Sequence, residues 1–217
     1  HKYAGFSLGE YTSIAASGKI DFETGLRLVI ERAKVMDDLS YTGSMTTIVG
    51  LEDDTIQEIC NEWNTTKTKS IQIANYLFDK ARVISGDNEG IEYIEEIARN
   101  KGASHVQRQN LVGSFHTEKM SEARETILPT LKSIEFLQTP VELFSNVNGK
   151  TYYNYSNETI VSNLANQIIK PVQWEKIMKQ ISSDYLVCEM GPGKQMQSII
   201  KRIHPENKNI QVIKYFG

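Results

Sequence analysis

A chain of 217 residues is long enough for one sizeable hydrophobic core, or for a main domain carrying a smaller insert. With 40% hydrophobic and 24% charged residues, a net charge of −3 and a pI of about 5.9, it lacks the basic excess of a protein built to hold nucleic acid or an anionic membrane. No apolar run approaches the ~20 residues of a membrane span, and no stretch has the order of a signal peptide. The two cysteines, Cys60 and Cys188, lack metal-type spacing and read as reduced packing residues, which points to the cytoplasm.

In chain order, residues 3–6 read as a short buried strand, so near the start that further sequence upstream is expected. Residues 8–16 read as a helix rich in small residues, with Gly18 as its stop. Asp21 suits the N-cap of a second helix over 22–39. From 43 to 111 the rhythm changes. Strands are expected at 45–49, 71–76, 82–85 and 105–111, helices at 53–63 and 89–100, and loops at 61–70 and 87–90. That β-α-β-β-α-β order is the order of a ferredoxin-like unit. Beyond 117, helices at 118–134 (kinked near Pro129), 157–168, 173–181 and 195–203 alternate with strands at 141–146, 185–190 and 210–215. The expected architecture is α/β. An α/β-hydrolase-like main domain with a parallel sheet takes residues 1–42 and 112–217, and a ferredoxin-like subdomain, 43–111, is inserted into it.

Gly5-Phe6-Ser7-Leu8-Gly9 is a G-x-S-x-G run between a predicted strand and a predicted helix. The serine of such a turn sits on a sharp, strained corner, so its glycine neighbours are expected to have no room for side chains. Ser7 Oγ would project from the sheet, and the Leu8 backbone N–H, at the helix N-terminus, could face a developing oxyanion. A chance tight turn accounts for the five residues equally well without that strand–helix setting.

A serine nucleophile needs a neighbour to take its proton. Of the four histidines, His1 is terminal, His105 lies on a strand of the small unit, and His204 follows a late helix. His116 ends the run Gly113-Ser114-Phe115-His116, where the chain re-enters the main domain. Arg32 is unusual for a different reason. Winding 22–39 at ~100° per residue puts Arg27, Glu31, Lys34 and Asp38 on a polar face, and Leu26, Leu28, Val29, Ile30, Ala33 and Met36 on an apolar arc. Arg32 falls inside that arc, between Leu28 and Met36. A charge there finds a partner or extends its stem to water, so the wheel alone leaves a snorkelling or salt-bridged arginine beside a ligand-binding one. Gly191-Pro192-Gly193-Lys194 reads as a packing turn and lacks the spacing of a P-loop. Lys194, Lys201 and Arg202 form at most a small basic patch, with a solvated helix face as the plainer reading.

The longer string Gly5-Phe6-Ser7-Leu8-Gly9-Glu10-Tyr11 resembles the nucleophile segment of malonyl-CoA:acyl carrier protein transacylases and of polyketide synthase acyltransferase domains, which usually reads Gly-His-Ser-Leu-Gly-Glu-Tyr. The likeness continues, in order, through Asp21-Phe22, Gly43-Ser44-Met45, Ile73-Ala74-Asn75-Tyr76, Ile84-Ser85-Gly86, Phe115-His116, Pro171-Val172-Gln173-Trp174 and Glu189-Met190-Gly191-Pro192-Gly193-Lys194. It spans essentially the whole chain, and the ordered set is far more specific than any member. Phe6 departs from the pattern; the family's histidine there is not the base, so a changed rate or selectivity is expected.

The resemblance implies a transferase that moves a malonyl group from malonyl-CoA to the phosphopantetheine thiol of an acyl carrier protein, in fatty acid or polyketide synthesis. Coenzyme A enters as a thioester substrate, with no resident cofactor, no metal, no nucleic acid and no membrane. Ser7 is then the nucleophile and His116 the base, oriented by the main-chain carbonyl of Gln167. Arg32 binds the free malonyl carboxylate, and Phe115 fills the space an α-methyl would need. Asn146 and Asn148 resemble a strand end near the family's site and receive no role. The family also carries, before the nucleophile, a Pro-Gly-Gln-Gly segment whose glutamine N–H completes the oxyanion hole; this sequence does not contain it. The same residues are compatible with an acyl-thioester hydrolase on this scaffold, and with an inactive fragment that only binds a carrier protein.

Overall fold

The computed structural model describes residues 1–39, 43–66, 70–152, 155–181, 186–191, 195–206 and 211–214. Strand β1 (Lys2–Tyr3) leads into α1 (Leu8–Ala16), and α2 (Phe22–Asp37) follows. The Asp21 carboxylate accepts the Thr24 N–H at 2.9 Å and caps α2. Helix α2 buries Gly25, Leu28, Arg32 and Met36, a line of positions three or four apart. Leu26 and Ile30 are exposed, which narrows the expected apolar arc: α2 packs through the single stripe centred on Leu28 and Met36, and the flanks of the wheel face outward.

Strands β2 (Ser44–Val49), β3 (Ile71–Phe78), β4 (Ala81–Gly86) and β5 (His105–Arg108) form one antiparallel sheet in the order β3-β4-β2-β5. Helix α3 (Asp53–Thr66) joins β2 to β3, and α4 (Asn88–Asn100) joins β4 to β5. Alternation along the strands separates two cores. Ile48, Ile73 and Ile84 pack with Ile56, Ile59 and Trp63 of α3 and with Ile91 and Ile94 of α4. Met45, Ala74 and Val83 face the opposite way, onto Phe144, Val172 and Trp174. The second face is tied by hydrogen bonds as well: Val172 N–H donates to Ala74 O and Tyr76 N–H to Val172 O, both at 2.9 Å. Helix α3 runs three residues past the expected end at 63, taking 64–66 from the expected loop, with Trp63 completing its buried stripe.

After β5 the chain forms a 3-10 turn (Glu118–Met120) and α5 (Ser121–Lys132), in place of one helix from 118 to 134. Strand β6 (Glu142–Leu143), α6 (Asn157–Gln167), α7 (Trp174–Met178), β7 (Leu186–Glu189), α8 (Gln195–Ile203) and β8 (Gln211–Lys214) complete the order. Tyr11, Ile14, Leu28, Ile127 and Leu164 join α1, α2, α5 and α6 in a third core. The parallel pairing expected of the main domain is present among the described residues as two separate ladders, β1 with β6 and β7 with β8, and not as one sheet. Strand β6 ends at Leu143, short of the expected Asn146, because the backbone turns back on itself. Ser145 N–H donates to Lys150 O and Gly149 N–H to Ser145 O. No described helix is long and apolar enough to cross a membrane.

Ile84 is fully buried at the centre of the antiparallel sheet. Ile84→Ala is expected to cost about 2–5 kcal/mol, read as a lower urea midpoint with an unchanged slope.

Candidate active site

The corner between β1 and α1 is tight. Ser7 has φ 50° and ψ −106°, a conformation that non-glycine residues adopt only when their surroundings enforce it. Gly9 N–H donates to Phe6 O at 2.8 Å and Glu10 N–H to Ser7 O at 3.1 Å. Asn146 clamps the corner from outside: its Oδ1 accepts the Ser7 N–H at 2.7 Å, and its Nδ2 donates to Gly5 O at 2.8 Å. The two glycines have different reasons. A Cβ on Gly5 would lie 1.8 Å from Gly9 O, whereas a Cβ on Gly9 would meet nothing within 4 Å. Gly9 therefore corrects the expectation that both neighbours are sterically barred: its own backbone is what crowds Gly5. Among the described residues no carbonyl accepts from the Leu8 N–H.

The fold brings His116 to Ser7 across 109 residues of sequence, with Ser7 Oγ 2.8 Å from His116 Nε2. His116 Nδ1 lies 2.7 Å from Gln167 O, a carbonyl that can only accept, so Nδ1 carries the proton and Nε2 is left to receive one. Gln167 is the last residue of α6, so this carbonyl is one the helix itself cannot satisfy, at the negative end of its dipole. His116 is itself at φ 59°. Gln72 of β3 brackets that turn, donating to His116 O at 3.1 Å and accepting from Glu118 N–H at 3.4 Å. Burial, followed by the nearby Arg32 charge, pushes the imidazole down to about 4. His1 and His105 are exposed, and His204 Nε2 bonds Met178 O at 2.8 Å, so none of these reaches Ser7. Among the described residues no carboxylate hydrogen-bonds His116.

Arg32 is 5% exposed and reaches the same serine. Its Nη2 donates to Ser7 Oγ at 3.0 Å and to Gln167 Oε1 at 3.0 Å, and the guanidinium lies 5.0 Å over the Tyr11 ring. Among the described residues it makes no ion pair, and its Nε has no hydrogen-bond partner. Phe115 packs where two of the cores meet, beside His116. Phe6 meets Trp174 edge-on at 5.4 Å.

Two further residues belong to this cluster. Asn146 is one; Glu10, fully buried on α1, is the other. Its Oε1 accepts the Tyr152 hydroxyl at 2.7 Å, and its Oε2 accepts Gln167 Nε2 at 2.8 Å and Asn146 N–H at 3.2 Å. Burial pushes this carboxyl up to about 7 against the pull of those donors. The signal that could have found it is the one that marked Arg32, a charge on the buried face of a helix beside Tyr11 and Ile14. Of the weaker sequence signals, Lys201 and Arg202 are exposed, with Arg202 4.9 Å over the Phe78 ring, and Asn148 Oδ1 accepts Lys150 N–H in a turn. Pro192–Lys194 lie outside the described residues. Cys60 is buried as expected, but Cys188 is exposed and not a packing residue, because alternate side chains of β7 point outward.

No family model matches the chain. A mitochondrial malonyl-CoA:acyl carrier protein transacylase of Mus musculus is 33% identical over 219 residues, covering 91% of this chain and 55% of the relative. A polyketide-biosynthesis malonyl-CoA:acyl carrier protein transacylase of Bacillus velezensis is 32% identical over 208 residues, covering 94% of this chain and 70% of the relative. The solved transacylase of Coxiella burnetii superposes with a TM-score of 0.87 at 26% identity, covering 97% of this chain and 66% of that one. A malonyl-transacylase solved in complex with its type II polyketide synthase acyl carrier protein gives 0.87 at 27% identity, over 98% of this chain and 68% of that one. The chain thus spans little more than half the length of the mouse relative.

Gly5→Ala should collapse the corner and cost about 3 kcal/mol or more, while Gly9→Ala, inside α1 and in open space, should leave the melting temperature unchanged or raise it. Reaction of Ser7 with phenylmethanesulfonyl fluoride, followed from pH 8 down to 3.5, should lose rate with a midpoint at about 4 and not at the ordinary 6.5 of histidine, because His116 stays neutral until the pH falls to about 4.

Proposed function

Because this chain belongs to the malonyl-CoA:acyl carrier protein transacylase family, we propose that it carries the site that moves a malonyl group from coenzyme A to the phosphopantetheine thiol of an acyl carrier protein. The observation that carries this reading is Arg32: a buried guanidinium with no ion-pair partner among the described residues, touching the same serine oxygen as His116. A buried cation in that position awaits an anion, and the free carboxylate of a malonyl group bound at Ser7 supplies one with matching fork geometry.

The reaction proceeds in two balanced halves. Ser7 Oγ attacks the thioester carbonyl carbon while its proton passes to His116 Nε2. The Leu8 N–H, which no carbonyl among the described residues accepts, faces the oxyanion. The C–S bond then breaks, and the imidazolium returns the proton to the coenzyme A sulfur. In the second half the carrier-protein thiol gives its proton to His116 and attacks the Ser7 ester, and Ser7 recovers the proton as the C–O bond breaks. Gln167 O fixes the tautomer throughout, and the Phe115 ring fills the space beside the acyl α-carbon. Coenzyme A enters only as substrate, and no resident cofactor or metal is called for. In this reading residues 1–42 and 112–217 act as an α/β-hydrolase-like domain, 43–111 as an inserted ferredoxin-like subdomain, and the free thiols of Cys60 and Cys188 suit the cytoplasm.

Intact-mass measurement after mixing with malonyl-CoA should show one malonyl adduct that maps to Ser7 and disappears in Ser7→Ala; an unmodified mass would reject the reading. Arg32→Ala should lower kcat/KM for malonyl-CoA by about 10–100-fold while acetyl-CoA is transferred as well as before or better, since only the charged acyl group loses a charge-assisted contact. An equal loss for both substrates would make Arg32 a structural residue.

A further inference from the structure

We propose that Glu10 is a positioning residue that holds the nucleophile, the base and the arginine in one geometry through Asn146 and Gln167. The proposal rests on the transferase reading of Ser7 and His116 given above. Glu10 is closed off from any substrate, so it does not react. Each of its two Oε2 partners, however, reaches the reacting residues directly. Asn146 takes the Ser7 N–H and gives to Gly5 O, fixing both arms of the strained corner. Gln167 gives Nε2–H to Ser7 O at 2.7 Å, takes Arg32 on Oε1, and holds His116 with its main-chain carbonyl. A single residue therefore separates the carboxyl from each of the three groups that meet at Ser7 Oγ.

The contacts fix the role of Oε2: it faces the Asn146 N–H and the Gln167 Nε2–H and must accept from both, so any proton the carboxyl carries sits on Oε1, against the Tyr152 hydroxyl, which can accept as well as donate. An apolar side chain of similar size would pack against Tyr11 and Ile14 without the cost of burying a carboxyl. What the carboxyl adds, through Oε2, is direction. It sets the amide of Gln167 so that nitrogen faces Glu10 and oxygen faces Arg32, and it aims the Asn146 backbone so that the Asn146 side chain meets the corner.

Glu10→Asp keeps the charge but draws the oxygens back by one methylene from three donors. Per folded protein, its limiting rate of Ser7 modification by phenylmethanesulfonyl fluoride should fall ~10²-fold, with the half-saturating concentration changed by less than ~3-fold. Glu10→Gln can turn its amide oxygen to both N–H groups and its NH2 to the Tyr152 oxygen, and should recover to within ~10-fold of the wild-type limiting rate. A limiting rate for Glu10→Asp within ~3-fold of wild type, with only the melting temperature lowered, would mark Glu10 as a core residue and overturn the proposal. If Glu10→Asp does not fold, Gln167→Leu makes the same test from the other end of the link. It deletes the amide, leaves the carbonyl on His116, and should show the same loss of limiting rate; an unchanged rate would again overturn the proposal. The probe is uncharged and carries no malonyl group. A wild-type protein that reacts with it at Ser7 but not with malonyl-CoA would reject the transferase reading alone.

Discussion

A buried amide can satisfy its two ends in only one orientation when a cation stands on one side and an anion on the other. Gln167 is in that position, with Arg32 at its oxygen and Glu10 and the Ser7 carbonyl at its nitrogen. Turning the amide over would set NH2 against guanidinium and oxygen against two acceptors. The rest of the site hangs on this constraint, because the same residue ends α6 and offers its carbonyl to His116. A helix terminus thereby does part of what a buried aspartate does beside a catalytic histidine. The carbonyl fixes the tautomer, and the negative end of the helix dipole favours the imidazolium, but without a full charge.

That modest support matters because Arg32 works against it. Guanidinium and imidazole share one serine oxygen, and a proton moved onto His116 sets two cations side by side. Burial first, and the Arg32 charge second, depress the basicity of His116; burial likewise raises the pKa of Glu10 on the other side of Gln167. Their consequences for stability have opposite signs. The unfolded imidazole takes a proton below 6.5 and the folded one only near about 4, so the stability this group contributes is lost as pH falls through that window. Folded Glu10 keeps its proton up to about 7, whereas the unfolded carboxyl releases it near 4.5, so its contribution is lost as pH rises between them. The windows overlap and partly cancel.

Local patterns were enough to read most elements. The α1 boundaries follow from the small-residue run after Ser7, and the antiparallel strands follow from alternation broken by polar turns. Sequence alone also singled out Ser7 by its corner, Arg32 by its place on an apolar face, and His116 by its junction. Glu10 and Gln72 escaped, and Asn146 was placed near the site without a role, for a physical reason. Their partners lie on other elements, 136 residues away for Glu10 and Asn146, and nothing in the neighbouring sequence records such a meeting. Asn146 was further hidden by the expectation of a strand through 146, where the chain instead turns at 145–150. The wheel placed Leu26 and Ile30 in the core because it reads hydrophobicity but not how wide a stripe the neighbouring helices can cover.

The antiparallel unit leaves and re-enters the rest of the chain at one point. Gly43 and Gly113 both have positive φ, and Gly113 N–H donates to Gly43 O at 3.1 Å, so the two crossings touch. The entry and exit of these strands therefore coincide, while the second face of their sheet is also held by Phe144, Val172 and Trp174. Loops between the strands can lengthen or shorten without altering the span that the remainder of the chain has to bridge. The segments with least freedom in such changes are those that reach across: the Gln72 grip on the His116 turn and the edge of β3 that bonds Val172. Such length changes are therefore best tolerated on the far side, where α3 and α4 cover the face opposite Val172 and Trp174.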